Sequence, residues 1–459
     1  MRAPSSPLLH VAGSILSLGF LGCADATRPA SLSLVVSPDS VVVSLRDSVR
    51  VASRLLTASG ESLPTRPTAW IVFDTSVATA TPTGVVRGLK VGGTSLAVAS
   101  EGVVTTVPVA VVTGFQTVVA GGGNAVALAE DSVAYTWGDT ATAVPGEDRF
   151  ASVSSGGSLS CALTAAGAVH CWGAFVPLGN GQDRSDAPVR VAPTALVRSL
   201  SVGMGFACAV TVDGVVWCWG MSYQGVTGPD GAYSTPYPVR IPFSEGVVLR
   251  EVSAGGSHVC ALSTTGTAWC WGYARYGQLG VDPGTLAGCQ QRCSLTPVAV
   301  TGGLSFASIT AGTTHTCGIT TSGSAYCWGD NFEGELGDTL TSPCSYYGTP
   351  CSWAPVPVRA ETPLVSLTAG SFYTCGLTAA HTAFCWGSNA GGVFGNGTVD
   401  WSSVPVPAAL GVTWESLSAG SGRTCGRSTD GIVYCWGGGS LGCGPRRGSR
   451  VPERVWFQR

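Results

Sequence analysis

Residues 260–272 read CALSTTGTAWCWG, and this frame decides the fold because the chain repeats it. It returns as CALTAAGAVHCWG at 161–173, CAVTVDGVVWCWG at 208–220, CGITTSGSAYCWG at 317–329, CGLTAAHTAFCWG at 375–387 and CGRSTDGIVYCWG at 425–437. A further Trp-Gly pair at Trp137 ends a copy without cysteines, AVALAEDSVAYTWG. Small-residue segments precede the frame, as at Ser253-Ala254-Gly255, Thr310-Ala311-Gly312, Thr368-Ala369-Gly370 and Ser418-Ala419-Gly420. Gly-rich loops follow it, then Pro-Val runs such as Pro188-Val189, Pro238-Val239, Pro297-Val298 and Pro357-Val358. Each unit therefore holds four short strands in about 49 residues, and seven such units over 114–459 predict an all-β fold, a seven-bladed β-propeller.

The composite motif resembles the regulator of chromosome condensation repeat family. Gly277-Gln278-Leu279-Gly280 and Gly334-Glu335-Leu336-Gly337 match that family's loop, and His258 and His315 match its histidine position. The resemblance implies a propeller and, in the founding nuclear members, nucleotide exchange on a small GTPase with chromatin contact. The export features described below argue against that activity here. The cysteine-free first copy reads as a capping or closing blade. The chain end, VPERVWFQR, reads as a strand that pairs with the blade begun at Phe115 and closes the ring without free edges.

Cysteine spacing predicts a disulfide framework. If AAG, VDG, TTG, TSG and TDG are three-residue hairpin loops with a left-handed third residue, counting back from Thr164 and Ala168 sets Cys161 opposite Cys171. Opposed residues lie about 4.5 to 5.5 Å apart, within disulfide range. The same count pairs Cys208 with Cys218, Cys260 with Cys270, Cys317 with Cys327, Cys375 with Cys385 and Cys425 with Cys435. His381 takes the glycine position in one loop. Cys289 with Cys293, and Cys344 with Cys351, form two loop bridges, leaving Cys23 and Cys443.

Ahead of the repeats, residues 1–23 have Arg2, an apolar stretch from Leu8 to Leu21, and Phe20-Leu21-Gly22-Cys23, which resembles a bacterial lipobox. An exported protein lipidated at Cys23 is expected, with cleavage after Ala24-Asp25-Ala26 and free secretion as the alternative. Residues 24–30 are a linker. Residues 31–113 alternate as short Val-rich strands, predicting a β-sandwich. Trp70, Asp74-Thr75-Ser76-Val77-Ala78, Gly84-Val85-Val86 and Val91-Gly92-Gly93-Thr94 resemble the group 2 bacterial immunoglobulin-like domain, which implies a stalk.

Composition limits the chemistry. The chain has 24 basic and 27 acidic residues, 11% charged, against about 25% in ordinary soluble domains. A net charge of -3 offers no nucleic-acid footprint, and Lys90 is the only lysine for Schiff-base chemistry. No metalloprotease, P-loop or dinucleotide motif occurs. Gly438-Gly439-Ser440-Leu441-Gly442 fits a nucleophile elbow, yet no histidine follows Ser440. His170 stands where other copies have Trp, Tyr or Phe and reads as a packed strand residue. Asp330, Glu333, Glu335 and Asp338 share one loop, read as a solvated turn with calcium as the lesser alternative.

No catalytic residue, metal or cofactor is assigned. The loops after the Trp-Gly pairs should emerge on one face, and Phe175, Tyr223, Tyr273, Tyr276, Phe332 and Phe394 there form the candidate binding face. The expectation is a monomeric binding module for an extracellular protein or glycan, touching membrane only through its lipid. Two rivals stand beside it: a polysaccharide hydrolase or lyase with its site in the channel, and a structural envelope component without a discrete ligand.

Overall fold

A computed structural model describes residues 32–44, 48–63, 68–90, 92–112, 114–137, 141–191, 195–230, 232–286, 293–339, 342–344, 348–442, 447–455 and 457–458. Signal residues 1–23 with Cys23, the linker 24–30, Cys289 and Cys443 lie outside them. The chain divides into two compact units between Val112 and Thr113.

In the first unit, Val41–Ser44, Val103–Val112, Gly92–Ser100 and Ala69–Val72 form one sheet in that order. Ser48–Arg50, Val85–Gly88 and Ala78–Ala80 form another, and Ser33–Ser37 pairs with Ala52–Leu56. Period-two alternation turns Leu34, Val36, Val107, Val109 and Val111 into one core with Val86, Leu96 and Val98. Trp70 packs against this core, and a Cβ at Gly84 would press into its ring and the Val51 carbonyl. That contact explains why glycine precedes Val85-Val86.

Among the described residues, the second unit holds seven sheets whose strands follow chain order. The fourth is typical: Leu249–Ala254, His258–Ser263, Ala268–Tyr273 and Cys293–Ala299, all antiparallel. Glycine occupies the left-handed position of the central hairpin in five sheets, as at Gly266 (φ 88°), and His381 (φ 60°) takes it in the sixth. In six of the seven sheets the fourth strand loses register at the Trp-Gly pair, between Cys270 and Gly272 for example, and Pro297 falls within that irregularity. A missing N–H costs least there, which accounts for the Pro-Val runs.

The hairpins set every cysteine pair in register. All six bridges form, with Cα atoms 4.0–4.1 Å apart. This is closer than the 4.5 to 5.5 Å expected. Thr164 N–H bonds Ala168 O, so by alternation Cys161 and Cys171 fall on a non-hydrogen-bonded pair, where strands approach most nearly. Cys344 bridges Cys351, and Cys293 is disulfide-bonded. In the first sheet Val126 faces Thr136 in the corresponding place.

Sheets pack by a repeated exchange. The bridge of one sheet faces forward, as Cys208 and Cys218 do against Leu249, Val252 and Trp271 of the next. The tryptophan faces back, and in four sheets its indole N–H donates to a loop carbonyl of the preceding sheet: Trp271 to Val226, Trp328 to Gln278, Trp386 to Glu335 and Trp436 to Val393, at 2.8–3.0 Å. The last glycine of each loop lies under the same indole; a Cβ at Gly280, Gly337 or Gly395 would meet Trp328, Trp386 or Trp436.

Each sheet's first strand packs on the first strand of the next, and Trp414–Ala419 of the seventh packs on Phe115–Ala120 of the first. The seven therefore form a closed ring. At its axis a Cβ on Gly156, Gly203, Gly255, Gly312, Gly370 or Gly420 would press into a carbonyl oxygen of the following sheet. Met204, Gly256 and Thr313 donate backbone N–H bonds to the carbonyls of Gly255, Gly312 and Gly370.

The chain end differs from the sequence expectation. Arg447–Arg454 completes the seventh sheet as its fourth strand, and only Phe457–Gln458 joins the first sheet, parallel to Ala141–Ala143. The Val451-Pro452 run serves its own sheet, as the Pro-Val runs do elsewhere.

Candidate binding face

Three of the loops that follow Trp-Gly pairs are fixed by buried threonine hydrogen bonds. Thr316 Oγ1 donates to Gln278 O (3.0 Å), so its lone pair accepts from His258 Nε2–H (2.8 Å). The next sheet repeats this with His315, Thr374 and Glu335 O; in the one after, Thr424 Oγ1 again donates to a loop carbonyl, Val393 O, while the Tyr373 hydroxyl beside it donates to Arg423 O (2.6 Å). Burial pushes the pKa of both imidazoles down to about 3, so they are neutral clamps. Arg423, in the same frame position, donates to Ser440 O instead.

The axial cavity, about 100 Å3, is walled by Ala, Gly, Ser, Thr, Val and Met residues running from Ala120 to Ser421. Thr313, Ser371 and Ser421 link their hydroxyls across part of its mouth. Beside that mouth lies an apolar cavity of about 410 Å3, lined by Phe175, Val176, Met204, Met221 and the Gly157 and Gly256 turns. Phe175 is 84% exposed and holds φ at 63°, a conformation that bulky residues rarely adopt. Met204 and Met221 are two of the three methionines in the chain.

The other expected face residues divide. Phe332 is exposed. Tyr273 and Tyr276 are half-buried with ring centroids 6.0 Å apart, and Arg275 lies over the Tyr273 ring. Tyr223 opens the short turn Tyr223–Gly225, and its side chain lies outside the described residues. Phe394 is wrongly placed on the face: it is fully buried. Gly392-Val393-Phe394-Gly395 aligns with Gly277-Gln278-Leu279-Gly280, so Phe394 fills the slot of Leu279, beneath the loop. Met204 and Phe372 were missed because they lie in turns ahead of the first cysteine rather than after the tryptophan.

The acidic loop is more buried than a solvated turn. Desolvation raises the Asp330 pKa, while Glu335, fully buried and beside Asp330 and Glu333, is pushed up to about 8. Its Oε2 accepts the Glu333 N–H (2.9 Å), as Gln278 Oε1 accepts that of Tyr276 (3.0 Å). Asp338 pairs with Arg359 at 2.8 Å. Among the described residues, no His, Cys, Asp and Glu group converges as metal ligands. His170 is half-buried on its strand, 3.8 Å from Asp148.

These features define an all-β chain carrying regulator of chromosome condensation type repeats. Family models of the regulator of chromosome condensation (RCC1) repeat match residues 213–262 and 265–319, and in a second form 250–278 and 306–335. The chain is 31% identical over 165 residues to the RCC1 domain-containing protein RUG3, mitochondrial, of Arabidopsis thaliana, covering 34% of each. It is 33% identical over 100 residues to the ultraviolet-B receptor UVR8 of the same plant, covering 22% of each. The chain thus spans about a third or less of these curated relatives. In fold it is similar to yeast RCC1 (Prp20) solved with Kap60, at TM-score 0.59 and 19% identity, covering 69% of this chain and 78% of that one.

Proposed function

We propose that this is an exported binding protein, lipidated at Cys23, in which a group 2 bacterial immunoglobulin-like stalk presents a seven-bladed propeller. The loop face of that propeller grips an extracellular protein or glycan and carries out no covalent chemistry. The observation behind this reading is the apolar cavity of Phe175, Val176, Met204 and Met221 beside an axial wall of small neutral residues. An exposed phenylalanine held in a rare conformation next to a concave surface is the arrangement of an interface anchor. A wall of Ala, Gly, Ser and Thr supplies no paired carboxylates for glycoside cleavage.

The test exposes the immobilised full chain and its Phe175→Ala, Met204→Ala double variant to envelope-protein extracts and a glycan array. Both side chains are exposed, so the variant keeps its fold. A partner retained by the parent and lost by the variant supports the reading. Equal retention by both, or release of reducing sugar from a polysaccharide by the parent, overturns it. Palmitate labelling lost in Cys23→Ser tests the anchor.

A further inference from the structure

A second cavity on the loop face, about 370 Å3, is lined by Tyr276, Asp330, Phe332, Glu333, Thr349 and Phe372. Three successive sheets build it. Tyr276 follows Trp271, Asp330 to Glu333 follow Trp328, and Phe372 precedes Cys375. Phe332 and Phe372 are 65% and 45% exposed, so ring surface remains open to a guest. Among the described residues, no Arg or Lys lies within ion-pair distance of Asp330 or Glu333, while Arg359 is engaged by Asp338. Burial and the Glu333 charge both raise the Asp330 pKa, so the carboxylates stand in an uncompensated negative field. Aromatic faces and partly desolvated carboxylates favour the same guest, a cation. A neutral sugar could stack on the rings but would leave that charge unbalanced.

We propose that this cavity receives an arginine side chain of a partner polypeptide, with the guanidinium against the phenylalanine rings and paired to Asp330 and Glu333. A planar guanidinium can stack and ion-pair at once, which an ammonium does less well. The proposal rests on the loop face being a partner-binding surface and names the chemistry of one contact there.

The test titrates the full chain with N-acetyl-arginine amide, its neutral isostere N-acetyl-citrulline amide, and methyl glucoside, followed by ligand-observed NMR. Saturable arginine binding is expected, about tenfold weaker for citrulline and weakened by salt. Phe332→Ala and Glu333→Gln, on accessible side chains, should each weaken it about fivefold or more. Equal binding of citrulline, tighter binding of the glucoside, or variants that match the parent overturn the proposal. If the arginine probe fails while capture through Phe175 and Met204 persists, this pocket assignment alone falls. If that capture fails while arginine binds, the broader reading falls instead.

Discussion

Replacing Glu335 with glutamine should remove a pH dependence that the folded chain carries at this position. Glu335 is fully enclosed, and Asp330 and Glu333 add repulsion to its desolvation, lifting its pKa from 4.5 to about 8. The unfolded chain sheds this proton near pH 4.5, whereas the folded chain keeps it until near pH 8. The stability associated with the protonated form is therefore complete below pH 4.5, declines as pH rises, and is lost above pH 8. A shift from 4.5 to about 8 corresponds to about 5 kcal/mol, an upper value for the penalty at pH 9. Glutamine already occupies this slot in the preceding sheet, where Gln278 accepts the same backbone N–H. Glu335→Gln should lie within about 1 kcal/mol of the parent at pH 5 and exceed it by several kcal/mol at pH 9, in guanidinium unfolding followed by tryptophan fluorescence without reductant. Parallel stability curves from pH 5 to 9 would refute the assignment of a buried neutral acid.

Other outcomes follow from the same packing. The lowered pKa values of His258 and His315 give stability that is complete above pH 6.5 and lost as pH falls towards 3, so His258→Phe, which copies Phe206 in the same frame position, should blunt acid unfolding; an unchanged acid midpoint would count against the clamp. Gly255→Ala should cost about 2 kcal/mol or more, because its methyl meets the Gly312 carbonyl and the His258 ring, and thermal unfolding would show it. Phe394→Ala should cost about 3 to 5 kcal/mol, whereas Phe175→Ala should stay within about 0.5 kcal/mol, the contrast that separates core from rim in denaturant midpoints. Cysteines at both Val126 and Thr136 should close spontaneously into a further hairpin bridge, read as a two-hydrogen mass loss, and two free thiols would contradict the register.

Much of the fold was legible because its signals are local. Turn chemistry and counting placed Cys161 against Cys171 before any tertiary information, since a hairpin's register follows from its loop. The axial segments were also legible, because only glycine fits where Gly255 meets Gly312 O. The candidate face was read less well. An aromatic after a Trp-Gly pair can point up to the rim, as Phe332 does, or down into the leucine slot, as Phe394 does. Its position relative to the Gly-x-Leu-Gly frame decides which, and that alignment was available in the sequence. The burial of Asp330 and Glu335 was not, because it arises where three sheets converge and no local pattern encodes that meeting. The chain end misled for a similar reason: its Pro run matches a fourth strand, and only the two residues beyond it reach the first sheet.

The hairpin bridges each join cysteines only ten residues apart. No such bridge ties one sheet to another, so oxidation does not depend on the ring having closed. Under oxidising conditions each pair can meet as soon as its own turn has formed, while the cysteines of the next hairpin lie dozens of residues further along the chain. The short span of each bridge favours its own hairpin partner over a more distant cysteine, and lengthening the array by one more repeat would leave the pairing of every existing bridge untouched.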